Sequence, residues 1–260
     1  PVSASWLGYG YTTGMTAIDY YMADENLLPI GSEHLFSEKP WRLPTPGYAF
    51  RPAEGMGSIS PLPALENGFI TFATLSRAIR INHRTIGVWA AILKRFKNAK
   101  LIINSRNYQT AAAQDQMALK FAEHGIERTQ LDIGFESPPW DLMRKTDICL
   151  DCFPHNSGTT LAEHLYMGIP YITLADRPSV GLIGGGILIG VGHPEWIAKT
   201  EDEYVEIAVA LASDLPKLAA LRASLRGEME ASGQMDEPKF ARKMESAYQE
   251  MFNIWSKKHP

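Results

Sequence analysis

The chain has 260 residues, 45% of them apolar and 21% charged, with a formal net charge of −4 and two cysteines. That length suits one large domain, or one domain with an appendage, and supports a sizeable core. The charge balance disfavours a nucleic-acid partner, no apolar run approaches the roughly 18 residues of a membrane span, and no signal peptide is visible; the composition predicts a soluble cytoplasmic protein with reduced thiols. The first residue is Pro1 rather than methionine, which predicts a processed product or an excerpt lacking something upstream.

In chain order, "ASWLGYG" and "MTAIDYYMAD" each suit a strand, and residues 29–63, rich in Pro and Gly, read as a long ordered loop or linker. From about Ile70 the pattern becomes regular. "FITFATL" (69–75) reads as a buried strand. Residues 83–96 read as a helix, with Ile86, Trp89, Ala90 and Leu93 at helical spacing and Asn82 as N-cap. A strand (99–105), a helix closed by Gly125, a strand (131–135), the short helix "PWDLMRKT" and the strand "DICLDCF" follow. Beyond them come the strand "YITLA" and helices around 182–191, 202–213, 215–231 and 238–256. Strands alternating with helices predict an α/β fold, a Rossmann-like parallel sheet with helices on both faces, whose ligand lies at the carboxyl ends of the strands near a switch point.

One such end is "HNSGTTLAEHLYMG" (155–168). Asn156, Ser157 and Gly158 form a turn, and Thr159 or Thr160 opens a helix. Unpaired amides at a helix start, preceded by glycine and joined by two hydroxyls, make an anion site. Glu163 lies one turn along, where a carboxylate can accept hydrogen bonds from a ribose diol; together these suit a nucleoside diphosphate. The same letters, Thr160-Leu-Ala-Glu163, also fit a capping box. Cys149 and Cys152 are three apart on a strand, so they point to opposite faces and are expected as buried thiols rather than metal ligands. Residues 8–14, "GYGYTTG", nearly match a dinucleotide fingerprint but have one residue too many; a tight turn between strands accounts for them. Gly184, Gly185 and Gly186 weaken a helix and admit either close backbone packing or a ligand. The histidines form no zinc motif, so no metal site is expected.

"LDCFPHNSGTTLAEHLYMGIPYITL" and "GHPEWIAKTEDEYVEIAVALASDL", with "WLGYGYTTGMTAIDYYMAD", "FSEKPWRLP" and "FARKMESAYQEMF", resemble the C-terminal catalytic region of the O-GlcNAc transferase family and its SPINDLY-like relatives, in order and over nearly the whole chain. The resemblance implies a GT-B fold, two Rossmann-like domains facing across a cleft. Residues 1–65 would be the end of the N-terminal domain and linker, 66–235 the nucleotide-sugar-binding domain, and 236–260 a helix packing back on the fold. It implies an inverting, metal-independent glycosyltransferase without a cofactor, using a UDP-sugar donor, typically UDP-GlcNAc, and a protein Ser or Thr acceptor.

Carried over by position, the resemblance puts phosphate contacts on Thr159 and Thr160, within the turn that contains Asn156 and Gly158, and the ribose-binding acid on Glu163. Arg80 takes the place of a lysine that neutralises the leaving diphosphate, with Arg77 as the alternative register; a solvated loop cation is the plainer reading. Trp140 lies in the loop that holds the base and suits either stacking on uracil or anchoring that loop. The family's Pro-Gly is Gly10-Tyr11 here, and Leu182-Ile183 stand where an arginine is common after Ser179. The family's catalytic histidine and superhelical repeats lie upstream of the "WLGY" segment, so no general base is assigned. Two functions remain open: the donor-binding part of a protein glycosyltransferase, active within a longer chain, or a non-catalytic nucleotide-sugar-binding or interaction module. Apolar surface on residues 1–68, including Trp6 and Tyr20, predicts a homo-oligomer or poor solubility for the isolated chain.

Overall fold

Apolar runs around Phe72, Ile102, Ile133, Ile148 and Ile172 lie side by side in a computed structural model, which describes residues 1–8 and 10–259. They build a six-stranded parallel sheet in the order β6-β5-β4-β7-β8-β9. Its strands are β4 (Thr71–Thr74), β5 (Lys100–Asn104), β6 (Leu131–Gly134), β7 (Ile148–Leu150), β8 (Tyr171–Leu174) and β9 (Ile197–Ala198). Around and between them run α1 (Pro63–Asn67), α2 (His83–Lys94), α3 (Ala111–Ala122), α4 (Trp140–Arg144), α5 (Thr159–Tyr166), α6 (Ile183–Val191), α7 (Glu201–Ser213) and α8 (Leu215–Ala231).

The pleat sends alternate side chains to opposite faces. Phe72, Leu101 and Ile103 enter the main core with Trp89 of α2 and Tyr204 of α7. Ala73 and Ile102 meet Leu142 of α4 on the other face. Asn82 caps α2 by accepting from the Arg84 and Thr85 amides at 3.0 and 3.2 Å. The glycines of α6 serve close packing: a Cβ at Gly184 would lie 2.5 Å from Thr173 Oγ1, and one at Gly186 would lie 2.9 Å from Leu27.

A second parallel sheet holds β1 (Ala4–Trp6), β2 (Tyr20–Asp24) and β3 (Lys39–Leu43) in that order. β3 lies inside the stretch expected to be loop. Pro40 and the charged residues beside it hide the strand in the sequence, and an edge position tolerates proline. Tyr20, Met22 and Leu43 face Met244, Ala247 and Met251 of the last helix, α9 (Glu237–Lys258), while Trp6 stacks on Phe240 with ring centroids 5.6 Å apart. Tyr21 and Ala23 pack on the other face with Leu28 and Phe36. The expectation that Trp6 and Tyr20 form open apolar surface is therefore corrected: α9 covers them, leaving Tyr20 only 8% exposed and Trp6 half-buried. Among the described residues no helix is long and apolar enough to cross a membrane.

Candidate functional site

The chain passes from β4 outward to β5 and β6, then returns to the other side of β4 as β7. The loops leaving β4 and β7 thus diverge at a switch point, where open parallel sheets bind ligands. Buried polar groups shape the β7–α5 loop. Asp151, 1% exposed, accepts from the Cys152 and Ser157 amides at 2.9 and 2.8 Å and from Thr173 Oγ1 at 2.8 Å. Burial still pushes its carboxyl up to about 7. Cys149 and Cys152 are both buried and free, as expected, and burial pushes Cys152 up to about 12; β7 ends at Leu150, so Cys152 lies in the loop rather than on the strand expected to carry both.

This loop leaves a helix start open. Gly158 is the N-cap of α5, with no side-chain cap bond. The capping box on Thr160 and Glu163 does not form, because Thr160 already lies inside the first turn. The amides of Gly158, Thr159 and Thr160 donate to no acceptor among the described residues. All three residues line a cleft of about 840 Å³.

Arg80, in the β4–α2 loop, also lines the cleft and donates from Nη1 to the Asn156 carbonyl at 3.0 Å, which fixes a guanidinium beside the open amides. Arg77 lines the same wall and is exposed. Asn156 is fully buried. Its side-chain amide donates to the Cys152 and Leu174 carbonyls at 3.1 and 3.4 Å, and its Oδ1 accepts from the Gly184 amide at 3.2 Å. Asn156 therefore shapes the loop, and its amide is turned away from the cleft. Glu163, one turn into α5, is half-buried and outside the cleft lining. Its carboxylate has no partner among the described residues, and burial raises it to about 7. Trp140 also lies outside the lining, with its indole against Gly55. Arg144 Nη2 donates to Met56 O at 2.6 Å beside it, so in this geometry Trp140 anchors a loop.

The facing wall comes from the small sheet and the segment after it, including Leu7, Gly8, Asp24, Gly47 and Tyr48. Asp24 is buried and accepts from the Gly47 amide at 2.8 Å, where a Cβ would collide with the backbone. Leu7 holds φ 60 between Trp6 and Gly8, whose amide donates back to Trp6 O at 2.8 Å. This is a tight γ-turn that carries a leucine in the left-handed region. The Tyr48 hydroxyl is buried without a partner among the described residues. Gly8 opens the glycine-rich turn 8–14, and β1 carries it and Leu7 to the cleft; no local signal marks Asp24, Gly47 or Tyr48, which β2 and the Pro-Gly-Tyr turn bring there. Of the turn 8–14, Tyr9 lies outside the described residues, while Gly10 packs toward Ile183. Although burial opposes it, hydrogen bonds from Thr12 and Thr13 pull the Glu38 carboxyl down to about 2 and hold the end of that turn. Among the described residues no three His, Cys, Asp or Glu side chains gather into a metal-holding group.

A parallel sheet with an open helix start, a fixed guanidinium and a second lobe across the cleft defines the GT-B class of glycosyltransferase fold. The chain belongs to Glycosyl transferase family 41, which matches residues 62–244. It is 34% identical over 261 aligned positions to the "Probable UDP-N-acetylglucosamine--peptide N-acetylglucosaminyltransferase SPINDLY" of Arabidopsis thaliana, covering 99% of this chain and 28% of that protein. A mutant O-GlcNAc transferase of Thermobaculum terrenum superposes with a TM-score of 0.90 at 29% identity, over 100% of this chain and 50% of the other. The glycosyltransferase WaaG, at 14% identity and a TM-score of 0.61, shares the fold. The chain thus spans about a quarter of the length of the curated relatives it matches.

Proposed function

We propose that this chain is the donor-binding part of a protein glycosyltransferase, holding a UDP-sugar, with UDP-GlcNAc as the expected donor, for transfer to protein Ser or Thr hydroxyls. The observation that carries the reading is the set of three unpartnered amides at Gly158, Thr159 and Thr160, open to a cleft beside Arg80. In this reading the diphosphate sits on those amides and the Thr159 and Thr160 hydroxyls. Arg80 meets the charge that develops as UDP leaves, so fixed donors rather than a metal stabilise the leaving group. In this reading Glu163, one turn along α5 and outside the cleft lining, accepts from the ribose, and residues 1–65 supply the wall that faces the sugar.

Calorimetry with UDP tests this. Arg80→Ala is expected to weaken UDP by about 10- to 100-fold, the loss of a charged hydrogen bond worth about 1.5–3 kcal/mol. UDP at 100 times its dissociation constant is expected to stabilise the chain by about 2.7 kcal/mol. Unchanged affinity in Arg80→Ala sinks the assignment of the diphosphate to this end of α5. A non-catalytic nucleotide-sugar-binding module is the second reading, favoured by the apolar Ile183 in the cleft wall. Donor binding without hydrolysis or transfer by the full-length protein would select it.

A further inference from the structure

We propose that the mouth of the cleft carries a second anion subsite, formed by Arg77, His155 and Arg177, that takes a carboxylate borne by the donor sugar or by the acceptor. This rests on the nucleotide-sugar reading of the same cleft and adds a ligand class to it.

Arg80 is held at the Asn156 carbonyl, next to the open amides of α5. Arg77 precedes it by a single short helical turn, Ala78–Arg80, and lines the cleft. The Arg77 guanidinium has no hydrogen-bond or ion-pair partner among the described residues. Arg177, in the β8–α6 turn at the cleft's edge rather than in its lining, reaches over the Tyr11 ring at 5.5 Å from its centroid; its amide donates to Asp176 Oδ1 at 2.7 Å, and its guanidinium forms no ion pair among the described residues. His155 lines the cleft between these two loops and is half-buried. Burial first, then Arg80, Arg177 and Arg77, depress its imidazole below the ordinary value, so all three guanidiniums act on one ring.

Acidic groups do not balance this cluster from within the cleft. Asp24 is the carboxylate in its lining, and it is buried and occupied by the amides of Gly47, Asn26 and Leu27. Arg51, a further lining cation, already pairs with Glu237. The cleft is therefore positive within a chain whose net charge is −4. Like charges converging on a half-buried ring raise the free energy of the empty site, and a bound anion offsets that cost. The two negative charges of a nucleoside diphosphate sugar are matched by Arg80 and the helix start. Arg77 and Arg177 are then left to meet a further negative group of the sugar or the acceptor. Arginine suits a carboxylate because its planar fork can bind both oxygens.

The test is calorimetry on this chain with UDP, UDP-GlcNAc and UDP-glucuronate. In a second arm, at saturating UDP, a serine peptide with flanking Asp and Glu is compared with its Asn and Gln counterpart. The expected result is a preference of about tenfold or more for the charged ligand in one arm, which identifies the source of the carboxylate. Arg77→Gln and Arg177→Gln are each expected to reduce that preference at least threefold and to weaken UDP itself by less. UDP binding with no anion preference in either arm overturns the subsite alone, as do arginine variants that weaken UDP and the charged ligand equally. Absence of UDP binding overturns the nucleotide reading and the subsite together.

Discussion

The two sheets earn their order differently. The six-stranded sheet is buried on both faces, and its interior includes polar side chains with assigned partners: Asp151, Asn156 and Thr173 shape the loop that presents the α5 amides. The three-stranded sheet divides its side chains between two small clusters, and one of those is completed by a helix from the far end of the chain. One wall of the cleft is thus set by a local buried hydrogen-bond network and the other by long-range apolar contact. Substitutions should separate the two, because the first fails when a polar partner is removed and the second when apolar contact is lost.

The largest expected effect is on the network. Asp151→Ala leaves the Cys152 and Ser157 amides and the Thr173 hydroxyl without their acceptor. Relief of a buried carboxylate offsets part of the penalty, and a net loss of about 3 kcal/mol is expected in urea unfolding. A loss below about 1 kcal/mol would break the comparison. Met251→Ala, at the seam between α9 and the small sheet, should cost about 2–3 kcal/mol. Hydrogen exchange should show faster opening of β2 amides with β4 and β5 amides unchanged; equal loss in both sheets would mean that they unfold as one unit.

Glu163→Gln sharpens the comparison through pH. The folded-state value of Glu163 is raised from 4.5 to about 7, so its favourable contribution is complete below 4.5 and lost as pH rises through about 7. The variant should match the wild type near pH 4 and exceed it near pH 8, by on the order of 1 kcal/mol after solvent screening is discounted. Asp151 titrates with the same sign but is common to both proteins, so the difference in melting isolates Glu163. The smallest effect belongs to Arg84→Ala, which removes an exposed ion pair with Glu201 between α2 and α7, 2.7 Å long. About 0.5 kcal/mol is expected in thermal melting.

The large sheet was legible because "LIIN" and "ICL" are continuous apolar runs bounded by turn residues, as strands buried on both faces must be. The small sheet was legible only in β1 and β2. β3 carries Lys39 and Pro40, and nothing local distinguishes such an edge strand from a loop. The turn before α5 and its open helix start could be read because residues 156–160 are contiguous. Of the opposite wall only the glycine-rich turn around Gly8 and Gly10 stands out in the sequence; Asp24 and Tyr48 reach it through the fold. The spacing from Thr160 to Glu163 suits a cap that does not form, because the N-cap is Gly158, which has no side chain to serve the open amides. Nothing local shows that the Asn156 side chain of that turn is held by backbone groups of Cys152, Leu174 and Gly184.

Met251 and Trp6 share one apolar cluster although they lie far apart along the sequence. At roughly 5–20 residues per second, β2 emerges from the ribosome on the order of ten to fifty seconds before the helix that covers it. Within this span the small sheet is thus made well before the helix that completes its apolar cluster. Its uncovered tyrosine, methionine and tryptophan must be shielded in the interval, by transient collapse or by a chaperone.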